Sequence, residues 1–378
     1  MQRPRRALVL CGGGATGAAY EVGALAALEA SLPGFRIQHF DIFVGTSAGA
    51  LIATLMATGV SAARMYHALT AQDDFFPLRR ADVYGVEPRE VIARGVALLD
   101  ALRRLGAQVS TGRGRDGQGF DLADLARALP DGLFTLHRYQ RFIERLLERH
   151  GLPQTFDAVE RHLLVPANNL DTGHREVFGH GYRLDASLAQ AIAASSAIPL
   201  FFAPMRIGQT DLIDGGTGKV AHTDLAVGAG ATHVLVINPI VPWNLARRLS
   251  RQRRDQGRVA PGSLTRIRER GLWGIWNQAF RVSTLTRLYL DLHRFRAERP
   301  DVGLALISPS EEDETLFVTS PMSTDARATV ARHAFESTRA HLRDHGDAVR
   351  AVCRGEPDAC KLDGVRQPEV ADTSWRED

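Results

Sequence analysis

Apolar residues open the chain in a repeating rhythm. Residues 7–11 (ALVLC) are a short unbroken apolar run, 12–17 (GGGATG) are glycine-rich, and 18–30 (AAYEVGALAALEA) are apolar at helical spacing. That succession predicts strand, tight turn and helix. It recurs at once: 40–45 (FDIFVG) predicts a second strand, and 50–59 (ALIATLMATG) a buried helix ended by Gly59. Two such units in a row predict a parallel sheet with right-handed crossovers.

Between 61 and 160 the pattern changes to amphipathic helix, clearest at 89–105 and 136–150, with a glycine-rich loop at 110–119. This reads as a helical insertion over one edge or face of the sheet. Strand patterns resume at 162–171, 175–181, 210–216, 231–240 and 301–310, with a helix at 184–199 stopped by Pro199. A basic linker is expected at 246–258, a long helix at 271–296 and a last one over 323–352. The expected fold is α/β, a three-layer α/β/α arrangement with a mostly parallel central sheet. Its main domain spans 1–310, a helical extension 311–354 packs on it, and the polar end 355–378 is expected to be disordered. No internal repeat is present.

Composition narrows the function classes. At 378 residues the chain can bury a large core. Of 46 basic residues only Lys219 and Lys361 are lysines. The arginines are spread among acids, without zinc-finger or RNA-binding spacing, so nucleic acid is not the expected partner. Three cysteines, Cys11, Cys353 and Cys360, do not make a disulfide framework. The apolar run before Cys11 is too short for a signal core, and no stretch approaches ~20 apolar residues. A cytoplasmic location is expected, with peripheral membrane contact left open.

Two glycine motifs carry chemistry. Gly12-x-Gly14-x-x-Gly17 after a strand has the dinucleotide fingerprint, which leaves a nucleotide-binding oxidoreductase as an alternative. Its acidic partner should end the next strand, however, and there the chain has Gly45-Thr46-Ser47-Ala48-Gly49. That segment fits the G-x-S-x-G elbow. Gly45 and Gly49 keep Cβ atoms clear while the Ser47 hydroxyl projects beside the next helix. The glycine loop can then face an oxyanion rather than a pyrophosphate. Serine needs a base. Asp214, ending a strand and followed by Gly215 and Gly216, is one candidate; His222, eight residues on, would complete a Ser…Asp…His order. No cluster has metal-ligand spacing, and no cofactor is required.

The glycine loop, the elbow and the Asp-Gly-Gly turn, in that order, resemble the patatin-like phospholipase family over roughly residues 6–240. NNLDTGHREVFG (168–179) and ASSAIPLFFAP (194–204) resemble further family blocks. The resemblance implies a Ser–Asp dyad without histidine. Ser47 would be the nucleophile and Asp214 the base, with Gly12, Gly13, Gly14 and Gly17 shaping the oxyanion loop. It implies hydrolysis of fatty acyl esters of phospholipids or lysophospholipids. A lipid-binding protein of the same fold without turnover is the other alternative. The chain departs from the family pattern at Thr16, where a basic residue is usual, and at Cys11, often glycine. It departs again at Val220, Ala221 and His222, which follow the Asp turn in place of an Asn-x-Pro. Loss of a cation at Thr16 bears on preference for anionic head groups. Trp273, Trp276 and Phe280 recur at helical spacing after Arg247, Arg248, Arg251, Arg253 and Arg254, which reads either as a core stripe or as an interfacial anchor. Residues 73–78 (DDFFPL) read as an apolar lip or as core.

Overall fold

In the computed structural model, residues 3–71, 73–84, 96, 103, 131–256, 264–319, 323, 325–361 and 364–365 are described. Their strands join in one sheet: β1 (Arg6–Leu10), β2 (Ile42–Gly45), β3 (His162–Asn169), β4 (Arg175–Gly179), β5 (Met205–Ile207), β6 (Thr210–Asp214), β7 (His233–Ile237) and β8 (Gly303–Ile307). Hydrogen bonding runs β5-β6-β3-β2-β1-β7-β8, with β4 also on β3. The β3–β2–β1–β7–β8 pairings are parallel; β4 and β6 pair antiparallel with β3, and β5 with β6. The sheet is mostly parallel, as the repeated strand–turn–helix pattern predicts.

The first helices are α1 (Gly14–Ser31), α2 (Ala48–Ala57), α3 (Ala62–Thr70), α4 (Arg80–Val83), α5 (His137–Arg149) and α6 (Leu188–Ser195). After them come α7 (Thr223–Gly228), α8 (Leu245–Gln256), α9 (Gly271–Glu298), α10 (Glu314–Val318), α11 (Arg327–His345) and α12 (Asp347–Arg354). Alternate strand residues face opposite sides. Leu8, Leu10, Phe43, Leu235 and Ile237 pack in one core with Tyr20, Leu51, Ile192 and Val330, from α1, α2, α6 and α11. Ala7, Val9, Val44, Val234 and Val236 pack in a second core with Leu225 of α7 and Leu285, Leu288 and Leu292 of α9. Both faces are covered, so the central strands are apolar throughout instead of alternating. Full burial of each Leu or Val is worth roughly 1.5–3 kcal/mol. At the crossing of α1 and α11 a Cβ on Gly23 would lie 2.3 Å from the Ala331 carbonyl oxygen, so only glycine permits that approach.

The register of β3 builds the site. β2 pairs with residues 162–164 of β3, β6 with 167–169, and β4 with 164–168. β4 overlaps both of the others and therefore takes the opposite edge. β2 and β6 share the remaining edge and run toward each other along it. Their ends, Gly45 and Asp214, meet near Pro166 and Ala167, which brings two segments distant in sequence to one point.

Several expectations change. Residues 246–256 of the expected basic linker lie in helix α8; Glu314 and Glu312, from outside the helix, pair with its Arg248 and Arg251. The last helix breaks at Gly346 into α11 and α12. The end of the chain is ordered in part. Pro357–Lys361 forms a 3-10 turn with Ala359 buried, and Gly364 accepts the Leu306 N–H at 2.8 Å on the edge of β8. The polar composition concealed two small residues, Ala359 and Val365, that dock there. Phe76 of the 73–78 stretch is core, and Phe75 lies against His150. The expected helix at 89–105, apart from positions 96 and 103, and the loop at 110–119 lie outside the described residues, as do 366–378. Cys11, Cys353 and Cys360 are free thiols. No helix among the described residues is long and apolar enough to cross a membrane.

Candidate active site

Ser47 sits between β2 and α2 with φ 56° and ψ −131°, a conformation that side-chain-bearing residues avoid. The surroundings enforce it. A Cβ on Gly45 would come within 2.5 Å of the Gly49 carbonyl, and one on Gly49 within 2.9 Å of the Gly12 nitrogen. The Ser47 N–H donates to Ser195 Oγ at 2.9 Å, and that hydroxyl donates to the Pro166 carbonyl at 2.6 Å. Ser195 thus ties the turn to β3 through the end of α6.

Asp214 ends β6 and is 6% exposed. Its N–H donates to the Ala197 carbonyl at 2.9 Å. Asn168 Nδ2 donates to the Asp214 carbonyl at 2.8 Å and to that of Gly215 at 3.2 Å. Oδ1 accepts the Gly216 N–H at 2.7 Å. Burial pushes the carboxyl pKa up to about 6, opposed by the neighbouring Ser47 hydroxyl and the Gly216 N–H. Oδ2 is buried with no hydrogen bond of full geometry, so the contact with Ser47 is looser than that with Gly216. A Cβ on Gly215 would meet the Pro166 carbonyl at 2.4 Å, which is why the turn needs glycine there.

The glycine loop closes over this pair. Gly12, Gly13 and Gly14 all have positive φ, which glycine adopts without penalty. A Cβ on Gly12 would lie 2.8 Å from that of Ser47. The four glycines differ in function as donors. The Gly12 N–H donates to Glu21 Oε1 at 2.8 Å, and that of Gly17 to the Gly13 carbonyl at 3.1 Å. Gly12 and Gly17 therefore shape the loop, while Gly13, Gly14 and the α2 residue Ala48 carry the N–H groups at helix starts that lack intrahelical partners. Glu21 is fully buried beneath the loop, its pKa raised by burial.

Two cavities meet at Ser47. One, of about 60 Å³, is apolar and runs between α1, α2, α3 and α5 past Leu51, Met65, Leu69, Phe76 and Leu136. The other, of about 430 Å³, holds Ser47 and Asp214 together with the glycine loop, Leu200, Phe201 and one face of α9. Trp273, Trp276 and Phe280 stack in succession on that face, with Phe201 against both tryptophans. The aromatic stripe thus lines the cavity that contains the serine and the aspartate.

His222 is buried and belongs to the Asp-turn support. Its Nδ1 faces Arg175 Nη1 at 3.1 Å, and Arg175 also grips Asp224 with two bonds, at 3.1 and 2.6 Å. A guanidinium only donates, so Nδ1 accepts and the proton is assigned to Nε2, on the side of the Gly215 carbonyl. Burial and then Arg175 push its pKa well down and keep the ring neutral. Ser195 and Asn168, which hold the two turns, escaped the reading of the sequence. They lie inside the ASSAIP and NNLD stretches, and only the packing shows what they bond. Among the described residues no group of three His, Cys, Asp or Glu side chains is placed to hold a metal ion.

The chain is similar to several known proteins. A cGAMP-activated phospholipase of Escherichia coli (strain TW11681) is 27% identical over 219 residues, covering 54% of this chain and 49% of that protein. A "Probable lipid hydrolase 463L" of Invertebrate iridescent virus 6 is 20% identical over 222 residues, covering 59% of this chain and 63% of that protein. The chain therefore spans about half to three-fifths of the length of these relatives. Among solved structures, VipD from Legionella pneumophila is 16% identical with a TM-score of 0.38, covering 91% of this chain and 67% of that one. The family model for Patatin-like phospholipase matches residues 8–226, from β1 through the glycine loop, elbow and Asp turn to α7. With more than half of its length inside that match, the chain belongs to the patatin-like phospholipase family.

Proposed function

We propose that this protein is a serine lipid acyl hydrolase that cleaves fatty acyl esters of phospholipids or lysophospholipids. The observation that carries the reading is the meeting of Ser47 and Asp214 beneath the glycine loop, at the junction of two cavities. Ser47 Oγ attacks the ester carbonyl while Asp214 takes its proton. A carboxylate is a weak base, and burial strengthens it. The negative charge that develops on the carbonyl oxygen is held by the N–H groups of Gly13, Gly14 and Ala48; one such donor is worth ~3 kcal/mol. The alcohol leaves with the proton held by Asp214. Water, activated by the same carboxylate, then releases the fatty acid. No step requires a metal or cofactor.

The narrow apolar cavity suits only the first carbons of an acyl chain, and the larger one the rest of the lipid. The rim of the larger cavity supports peripheral contact with a lipid surface. Leu200 in its lining is 69% exposed, and Leu272 and Ile275, next to Trp273 and Trp276 in α9, are 83% and 49% exposed, with the basic helix α8 nearby in sequence. Such a rim exposes apolar side chains at an interface where basic residues meet anionic lipid.

Lipid-product profiling tests the proposal. Wild-type protein given phospholipid vesicles should release free fatty acid, and the Ser47→Ala variant should not. Equal release by both would remove Ser47 from the chemistry.

A further inference from the structure

The larger cavity has a charged wall for which the dyad has no use. Helix α9 presents Asn277, Arg281 and Thr284 to it, four and three residues apart and so on one helix face, with Arg287 on the next turn. Arg281 is only 5% exposed. Its Nε donates to Asn277 Oδ1 at 3.1 Å, Nη1 to the Val241 carbonyl at 3.0 Å and Nη2 to the Leu316 carbonyl at 2.9 Å. All three acceptors are neutral. Among the described residues no carboxylate forms an ion pair with Arg281. The acid that it senses, Asp313, is engaged by His333 Nε2 at 2.6 Å. A guanidinium has five N–H donors, so two remain beyond those named. A buried cation without a counter-charge is costly.

A second observation points the same way. Thr284 is 2% exposed and its Oγ1 has no hydrogen-bond partner, although the residue lines the cavity. Arg287 donates to the carbonyls of Thr217 and Gly218, just past the Asp214 turn. The cavity wall is therefore graded: aromatic at Trp273, Trp276 and Phe280, cationic and hydrogen-bonding at 277–287. An amphiphile with an anionic group close to its ester fits that gradient.

We propose that Arg281 and Thr284, with Arg287 beside them, form a subsite for the phosphodiester group of a glycerophospholipid substrate. The phosphate supplies the counter-charge that Arg281 lacks and accepts the Thr284 hydroxyl, in the charge-assisted geometry that suits a guanidinium. Cationic recognition then comes from α9 rather than from position 16, where the chain has Thr16. The burial of Arg281 lowers its pKa only to about 10, so it is charged at neutral pH. This assignment rests on the acyl hydrolase reading of the site, but binding can be tested without turnover.

Glycerophosphocholine, a soluble phosphodiester, is titrated into wild type and into Thr284→Val and Arg281→Gln, with the fluorescence of Trp273 and Trp276 as readout. Wild type should show a saturable change, and both variants a midpoint at least tenfold higher. Thr284→Val is nearly isosteric and guards against loss of fold in Arg281→Gln, which gives up three structural bonds. No saturable change in wild type, or the same midpoint in folded Thr284→Val, would overturn the subsite. So would saturation by inorganic phosphate but not by the diester. In mixed micelles, the ratio of kcat/KM for phosphatidylglycerol to that for a diacylglycerol with the same chains should fall about tenfold in Thr284→Val, chiefly through KM. An unchanged ratio would reduce Arg281 to a strut between the Val241 loop and α10. Diester binding without turnover on either lipid would sink the hydrolase reading and leave the subsite standing.

Discussion

Replacing Asp214 by Asn should abolish turnover and stabilise the fold, with a pH dependence that the structure fixes. Burial raises the Asp214 carboxyl from 3.8 to about 6. Below pH 3.8 both folded and unfolded states hold the proton, and the aspartate carries no penalty. Between pH 3.8 and 6 the unfolded chain releases it while the folded chain keeps it, so stability falls as pH rises. Above pH 6 the folded protein holds a buried carboxylate, at a cost on the order of 3 kcal/mol. Asparagine matches the shape, retains Oδ1 as acceptor for the Gly216 N–H, and cannot ionise. Stability of Asp214→Asn relative to wild type should be near zero at pH 4 and rise to about 3 kcal/mol by pH 8. In thermal melts that corresponds to roughly 4 °C for a chain of this size. Melts of both proteins at pH 4, 5, 6, 7 and 8 give the difference directly, since other titrations cancel. A variant less stable than wild type at pH 8, or a difference that does not change with pH, would refute the claim that burial of the charge sets the Asp214 pKa.

Ser47→Gly should melt higher than wild type, by about 1–2 kcal/mol in denaturant titrations, because glycine adopts φ 56° without strain; it should hydrolyse nothing. Glu21→Gln should keep turnover within a few-fold, since an amide oxygen also accepts the Gly12 N–H, whereas Glu21→Leu should lose about 1–3 kcal/mol in melts and lose kcat more than KM. His222→Asn should retain more than a tenth of wild-type kcat on a soluble ester, because the neutral ring braces the Asp turn; a thousandfold loss would return histidine to the chemistry.

The central strands were legible because burial on both sheet faces leaves an unbroken apolar run, as in β1 and β7. The elbow and Asp turn were legible because their glycines answer to local sterics: Gly45, Gly49 and Gly215 have no room for a Cβ. Gly12-x-Gly14-x-x-Gly17 was ambiguous for a physical reason. Gly17 packs against the Gly12 carbonyl whatever the loop binds, and only the strand that follows separates a dinucleotide site from an elbow. What was not legible depends on contacts between distant segments. Ser195 and Asn168 look like ordinary polar residues until α6 and β3 bring them to the two turns. The aromatic stripe of α9 has one periodicity whether it faces a core or a cavity, and the sequence leaves its neighbour Phe201 unknown. Likewise Gly12 and Gly13 are adjacent and alike in sequence, and only the buried Glu21 carboxyl shows that one N–H is taken.

The claim at the centre is that the hydroxyl of Ser47 is activated by the carboxylate of Asp214. The rate at which a fluorophosphonate becomes bonded to the peptide containing Ser47, followed by mass spectrometry across pH, measures that activation with no lipid present. The account predicts a single modified site at Ser47, a rate that climbs through pH 6 and levels off, and near-complete loss of labelling in Asp214→Asn. Labelling on another residue, or a folded Asp214→Asn that reacts as fast as wild type, would contradict it.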